Sequence, residues 1–214
     1  IRRPPRSTQG VSSAASDVYK RQVYDHATDD CYSITKNSTT FHQSLDVKRT
    51  WGTSIAVNNT LWILGGQNPS SSLLSSTEYL DSGIDLSIPL PLRQFAIVEL
   101  ETGDYPYILI GGKTYKKYTN KTFLLQQKQS WTPGPNLNEA RGHHAAGVIT
   151  DKITLKKMLV VVGGVNETGF FSSVEMMPLP IAAQANTTWP TWQKGMCIKM
   201  FSKEQSFNHV LFKI

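Results

Sequence analysis

The feature that most constrains this chain is an apolar run that ends in a double glycine and occurs three times. Runs of β-branched and aromatic residues favour buried strands, and two glycines at the end allow a turn with positive φ. The first glycines are 46 residues apart (65 to 111) and then 52 residues apart (111 to 163). Repetition at such a period predicts an array of similar strand units. The three runs are residues 61–66, 107–112 and 158–164.

A second strand-like segment precedes each run, so each unit is predicted to contain a hairpin. These segments are residues 53–57, 95–100 and 144–149. Only residues 58–60, Asn-Asn-Thr, separate the first segment from its run, and asparagine tolerates the left-handed backbone of a tight turn. The other two hairpins have longer tips, which explains the unequal spacing of the glycine pairs.

Aromatic, proline and basic positions recur around these hairpins. The aromatic residues Tyr79 and Phe123 follow the first two glycine pairs at what the sequence indicates is one repeat position. A tryptophan, a proline, a leucine, an arginine and a histidine lead into the third run, at Trp131, Pro135, Leu137, Arg141 and His144.

This layout resembles the kelch repeat, whose unit has an apolar run ending in Gly-Gly, then a tyrosine, a tryptophan and a segment with proline, leucine and arginine. The resemblance covers roughly residues 31–192. It is incomplete at two places. Residues 85–88 stand where a tryptophan is expected, and Gly52 and Ala96 stand at the place of His144.

The resemblance implies an all-β fold, namely an incomplete kelch-type β-propeller with about three to four four-stranded blades. In such an array each blade buries its faces against its neighbours, so stability comes from stacking. Residues 23–192 are the expected propeller fragment. Loops on a rigid β scaffold commonly carry recognition, so the resemblance implies a scaffold that binds a protein partner.

The first 22 residues are predicted to be foreign to the native protein. Residues 17–22, Asp-Val-Tyr-Lys-Arg-Gln, are the translation of a transposon end used in sequencing libraries. Residues 1–22 therefore resemble a translated adapter and are expected to be disordered, with a natural basic arm as the alternative. This segment has five basic residues and one acidic residue, a net of +4, which leaves +2 of the chain's +6 for the remainder. Nucleic-acid binding is accordingly not predicted.

The end of the chain does not follow the repeat. Residues 193–214 lack a further hairpin and glycine pair. They are predicted to be an off-pattern tail, truncated or frame-shifted, and a terminal capping strand is the alternative.

Three arginines precede the hairpins: Arg49, Arg93 and Arg141. If the resemblance holds, equivalent residues lie on a circle about the propeller axis. The arginines would then form a cationic ring that receives an acidic loop or a carboxylate through bidentate pairing. The alternative, which the sequence favours, is that they brace loops between neighbouring blades.

No catalytic, cofactor or metal site is predicted. His143 and His144 are adjacent, and neighbouring side chains on a strand point to opposite faces, so these two cannot bind one metal ion together. No stretch reaches the roughly 20 apolar residues of a membrane helix, so membrane insertion is not predicted. The expected function is a non-enzymatic binding scaffold. The alternatives are a fragment of a kelch-type oxidase or sugar-processing enzyme and an intracellular ubiquitin-ligase substrate adaptor.

The compartment is argued from asparagine. Five of the ten asparagines begin an Asn-x-Ser/Thr glycosylation signal, about two and a half times the chance expectation. The sequence therefore predicts a secreted or extracellular glycoprotein, with a cytoplasmic protein as the alternative. Cys31 and Cys197 could pair or both be thiols. The candidate glycosylation sites are Asn37, Asn58, Asn120, Asn166 and Asn186.

Overall fold

The protein is all-β in the part that the structure, a computed structural model, describes. Every regular element in these residues is a β-strand, and the sheets are antiparallel. The described residues are 18–19, 28–34, 38–57, 60–79, 86–100, 103–127, 130–150, 155–180 and 187–195.

The strands form four sheets and one two-stranded ribbon. The N-terminal sheet contains β1 (Val18–Tyr19), β2 (Thr28–Ile34) and β3 (Thr39–Arg49). Sheet I contains β4 (Thr53–Val57), β5 (Thr60–Leu64) and β6 (Thr77–Tyr79). Sheet II contains β7 (Ala96–Glu99), β8 (Tyr107–Ile110), β9 (Thr122–Leu125) and β10 (Trp131–Pro133).

Sheet III and the ribbon complete the described structure. Sheet III contains β11 (Ala145–Thr150), β12 (Lys157–Val162), β15 (Val174–Pro178) and β16 (Gln193–Gly195). The ribbon pairs β13 (Val165–Asn166) with β14 (Gly169–Phe170), between the third glycine pair and β15.

The three predicted hairpins are β4–β5, β7–β8 and β11–β12. Each second strand ends at a glycine pair, and all six of these glycines have positive φ, as the sequence predicted. The surrounding space is equally restrictive, since a Cβ on Gly66 (φ 95°) would lie 2.5 Å from the carbonyl oxygen of Thr50. The glycine pairs therefore let the chain pass close to the segment that leads into each hairpin.

Strand register corrects one predicted equivalence. Glu78 lies opposite Ile63 in sheet I, and Phe123 lies opposite Leu109 in sheet II. Ile63 and Leu109 both stand two residues before the first glycine of their pair. Phe123 therefore corresponds to Glu78 and not to Tyr79. Because a one-residue shift moves a side chain to the opposite face of a strand, the error placed Phe123 on the wrong face.

Other boundaries also differ from the sequence pattern. Residues 86–88 form no strand, although the side chains of Leu86 and Ile88 are buried, so sheet I has three strands in the described residues. The first three residues of the predicted tail form β16. Val18 and Tyr19 of the adapter-like segment form β1, and the other residues of that segment lie outside the described ranges.

The apolar core lies between neighbouring sheets. Sheet II is buried on both faces, because Ile108 and Ile110 belong to a cluster shared with sheet III, whereas Tyr107 and Leu109 belong to one shared with sheet I. A smaller cluster, which includes Ile63, joins sheet I to the N-terminal sheet. Strand β7 contacts β4 on one side and β11 on the other. The first strands of sheets I, II and III therefore lie side by side.

Candidate functional site

Three residues at equivalent places before the hairpins have a left-handed backbone, and we call them the left-handed row: Trp51 (φ 58°), Gln94 (φ 60°) and His143 (φ 54°). Each follows a residue that bridges to the position just after a glycine pair. The bridges are Thr50–Gln67, Arg93–Lys113 and Gly142–Val165. A left-handed backbone costs a non-glycine residue roughly 1–2 kcal/mol, so the fold imposes this conformation three times.

Backbone hydrogen bonds connect the row across the three sheets. The Gln94 amide donates to the Trp51 carbonyl at 3.0 Å, and the His143 amide donates to the Gln94 carbonyl at 3.0 Å. The rings of Trp51 and His143 meet edge to face, with centroids 5.1 Å apart. The two outer members of the row therefore contact each other across Gln94.

The side chains of the row are accessible and lie beside positive charge. Trp51 is 45% exposed, and His143 is exposed while Gln94 is half-buried. Partial desolvation of the imidazole ring, together with the charges of Arg93 and Lys113, lowers the pKa of His143. The imidazole is therefore neutral at pH 7 and can both donate and accept hydrogen bonds.

An apolar cavity of about 390 Å³ adjoins the row. Phe170 at its rim belongs to the ribbon and is 93% exposed. A neutral histidine, two nearby cations and an apolar cavity together suit recognition of another chain. The lining residues are His143, Gly164, Val165, Phe170 and Phe171.

The predicted arginines do not occupy the exposed row. Arg49 is fully buried, and its guanidinium donates to the carbonyls of Gly65 (2.9 Å) and Ser76 (3.2 Å) and pairs with the Glu78 carboxylate. Arg49 ends β3, Glu78 belongs to β6, and Gly65 and Ser76 flank β5 and β6, so the side chain joins two neighbouring sheets.

Arg141 has the same role before sheet III. It is fully buried and donates to the Gly163 carbonyl at 2.7 Å and to Ser173 Oγ at 3.0 Å. It also pairs with Glu175, itself fully buried, at 2.9 Å, and with Glu139 at 2.8 Å. We call the Arg49–Glu78 and Arg141–Glu175 pairs the carboxylate clamps.

Arg93 is not equivalent to the other two arginines. Because Thr50, Arg93 and Gly142 form equivalent bridges, the residue at the place of Arg49 and Arg141 is Leu92. The Arg93 guanidinium instead donates to the side-chain oxygen of Gln67. Two of the three arginines thus lie inside the molecule, which is the bracing alternative, and Arg93 lies next to the row.

Sequence reasoning missed the row itself. Trp51 and His143 each follow a buried arginine by two residues, and a search for exposed residues at a fixed distance from Arg49 and Arg141 would have found them. Gln94 carried no such signal, because Leu92 replaces the arginine in its unit. The pattern of arginines alone therefore pointed one or two residues away from the accessible position.

The remaining candidate residues are distributed as follows. Asn120 lies in a described loop and Asn166 ends β13, whereas Asn37, Asn58 and Asn186 lie outside the described residues. Cys31 is buried, and Cys197 lies outside the described ranges. In the described part of the chain, His, Cys, Asp and Glu side chains form no group of three or more that could hold a metal ion. No helix with the length and apolarity of a membrane span occurs there either.

Comparison with known proteins supports the fold and does not name a family. No protein-family model matches the chain, and no curated protein matches it. Among solved structures, the chain is similar to that of YjhT, with a TM-score of 0.57 and 13% sequence identity. The match covers 78% of this chain, and the chain spans 66% of the YjhT structure. A likeness at this identity shows a shared fold and carries no activity with it.

Proposed function

We propose that this chain is a non-enzymatic protein-binding scaffold of the kelch type, built as part of a β-propeller, and that it binds its partner at the left-handed row. The propeller part rests on the arrangement of the sheets. Successive sheets bury apolar clusters between their faces, and the first strands of sheets I, II and III are adjacent. The contact of Trp51 with His143 across Gln94 is compatible with sheets that converge on a common centre.

The observation that carries the binding proposal is that residues with a strained backbone expose their side chains. Glycine would adopt positive φ without the cost that Trp51, Gln94 and His143 bear. Strained backbone of this kind clusters at sites of function. Trp51 also exposes a large apolar ring next to polar groups, which is typical of a binding anchor.

The charges near the row favour an acidic partner segment. Arg93 and Lys113 flank His143 closely enough to lower its pKa. The Lys113 ammonium lies 4.7 Å from the ring centroid of Tyr118. A partner carboxylate can pair with these cations, while an apolar side chain of the same segment enters the cavity beside Phe170. The proposed partner is therefore a protein loop that carries an acidic and an apolar residue. We also propose, from the glycosylation signals, that the protein acts outside the cell.

Panning of a random peptide library against the folded chain tests this proposal. Peptides selected on the native protein are re-measured on a variant with Trp51→Gly, Gln94→Gly and His143→Gly. Glycine retains the left-handed backbone and removes the side chains, so the fold is kept. We expect acidic residues to be enriched in the peptides and their affinity to fall at least about tenfold on the variant, as for removal of binding anchors.

The matched control is Leu155→Ser. Leu155 is 76% exposed and lies at the tip of the β11–β12 hairpin, at the opposite end from the row. Binding should be unchanged in this variant. Retention of binding by the triple glycine variant, or an equal loss in Leu155→Ser, would rule out the row as the binding site.

A further inference from the structure

The two described glycosylation signals differ in what their asparagine side chains do. Asn120 Nδ2 donates to the carbonyl of Leu137 at 3.0 Å, and Leu137 is buried. The signal's threonine, Thr122, is also buried, and its hydroxyl donates to the Pro135 carbonyl at 2.9 Å. Both groups that define this signal are therefore used inside the fold.

The side chain of Asn166, in contrast, is bonded through its oxygen and not through its nitrogen. Its Oδ1 accepts the Thr168 amide at 2.8 Å and the Thr168 hydroxyl at 2.7 Å. These bonds fix the side chain through its oxygen, and Nδ2 donates no hydrogen bond to any described residue. Glu167 and Thr168 are exposed at the tip of the ribbon. A Cβ on Gly169 would meet no atom within 4 Å, so the ribbon borders open space.

We infer that Asn166 is an N-glycan attachment site and that Asn120 is not. In the reaction, Asn166 Nδ2 forms a C–N bond to C1 of an oligosaccharide. The bond from C1 to the oxygen of a lipid diphosphate breaks, the lipid diphosphate leaves with the electron pair, and Nδ2 loses one proton. The glycan is compatible with the fold at Asn166 because no bond of Nδ2 has to break. At Asn120 it would be directed at the buried Leu137.

The same geometry places the glycan next to the left-handed row. Asn166 pairs with Gly169 in the ribbon, and Val165 and Phe170, the flanking ribbon residues, line the cavity that His143 also lines. A glycan here would shield the ribbon side of the row. The inference goes beyond the proposed binding function and depends only on passage of the chain through the secretory pathway.

The test is site-specific glycan occupancy. The full chain is expressed behind a cleavable signal peptide in animal cells, and both the secreted and the membrane-enclosed pools are treated with a deglycosidase in heavy-oxygen water. Chymotrypsin separates Asn166 from Asn186 by cutting after Phe170, and mass spectrometry reads each site. We expect Asn166 to be occupied in most molecules and Asn120 in few.

Two variants separate modification from structural damage. Thr168→Ala should lose one glycan and keep the melting temperature of the deglycosylated protein. Asn120→Gln should keep its glycan count and melt at a lower temperature, because the bond to Leu137 is lost. An unmodified Asn166 in both pools, or equal occupancy of Asn120 and Asn166, overturns the inference. If the peptide-binding measurements are made on deglycosylated protein, the proposed function and this inference fail or hold independently.

Discussion

Sheets I and III contain a buried ion pair at the place where sheet II contains two apolar residues. Arg49 and Glu78 form the clamp of sheet I, whereas the equivalent residues of sheet II are Leu92 and Phe123. Leu92 is fully buried, and Phe123 packs against the same apolar cluster. The same repeated backbone therefore accommodates either a buried ion pair or an apolar pair, provided that both residues of the pair are exchanged together.

The difference between the sheets extends to the backbone donors around the pair. Glu175 accepts the amides of Asn138 at 2.6 Å and Glu139 at 3.2 Å, and Glu78 accepts the two equivalent amides, those of residues 46 and 47. In sheet II the position of Asn138 is taken by Pro89, which has no amide hydrogen. The chain has thus lost a donor where it lost the acceptor, so no amide is left without its partner at this position.

The largest effect is expected from breaking one clamp on one side. Arg141→Leu copies the leucine of sheet II but leaves the fully buried carboxylate of Glu175 without its cation. Removal of one partner of a buried ion pair costs about 3–5 kcal/mol of unfolding free energy. Urea unfolding followed by tryptophan fluorescence measures it.

Arg93→Leu is the control for that variant. Arg93 is only partly buried and bonds to Gln67, so its loss should cost less than about 1 kcal/mol. A similar loss of unfolding free energy in the two variants would mean that the clamp contributes no more stability than the partly buried Arg93.

A smaller loss is expected when both partners are exchanged. Arg141→Leu combined with Glu175→Phe reproduces the pair of sheet II inside sheet III. The double variant should be about 1–3 kcal/mol less stable than the native protein, because the Asn138 amide is left without an acceptor. It should still be more stable than Arg141→Leu alone, as the double-mutant cycle in urea would measure. Additive losses would show that sheet III cannot adopt the apolar solution.

The next effect depends on pH and contrasts His144 with its counterpart in sheet II. The equivalent bridges of Gly142 and Arg93 show that this counterpart is Phe95 and not Ala96, as the sequence pattern predicted. Both stand directly before the first strand of their sheet. Burial and the Arg141 guanidinium lower the pKa of His144 to about 3, against about 6.5 in an unfolded chain. Below pH 6.5 the unfolded chain therefore binds a proton that the folded chain refuses. Stability from this residue is complete above pH 6.5 and is lost as pH falls toward 3.

His144→Phe removes this contribution. Between pH 7 and pH 5, the native protein should lose about 2 kcal/mol more unfolding free energy than the variant. Urea titrations at the two values measure the difference, and the other titratable groups cancel because both proteins contain them. Parallel losses in the two proteins would mean that His144 is protonated in the folded state.

The strands were predictable from sequence because their signal is local. Apolar runs, glycine pairs and short turns located all three hairpins, and the positive φ of the glycines followed from the same pattern. The absence of the clamp from sheet II was not predictable. Arg93 lies one residue after the position of Arg49 and Arg141, and Phe123 lies one residue before the position equivalent to Tyr79, so both matched the repeat pattern in the wrong register. Only strand register, which depends on pairing across the sheet, distinguishes these neighbours.

The row was hidden for a different physical reason. No residue type requires positive φ. Histidine adopts it more often than most residues, but tryptophan and glutamine do not favour it, so residue type did not mark the row. The conformation is imposed by bridges such as Arg93–Lys113, which join segments far apart in sequence. Sequence alone therefore indicated the scaffold and left the accessible side chains unassigned.

The smallest change in stability is expected at the left-handed row, which the three sheets share. The left-handed row is present in sheet II as in sheets I and III, although the clamp is not, so the backbone of the row does not depend on the ion pair. Gln94→Gly should raise the unfolding free energy by up to about 1 kcal/mol, because relief of left-handed strain exceeds the entropy cost of glycine. Gln94→Ala retains the strain and should show no gain, so the difference between the two variants in thermal unfolding isolates the backbone term. If Gln94→Gly gains stability and binds peptide more weakly, the glutamine side chain serves recognition and destabilises the fold. If Gln94→Gly loses stability, the side chain instead contributes to packing.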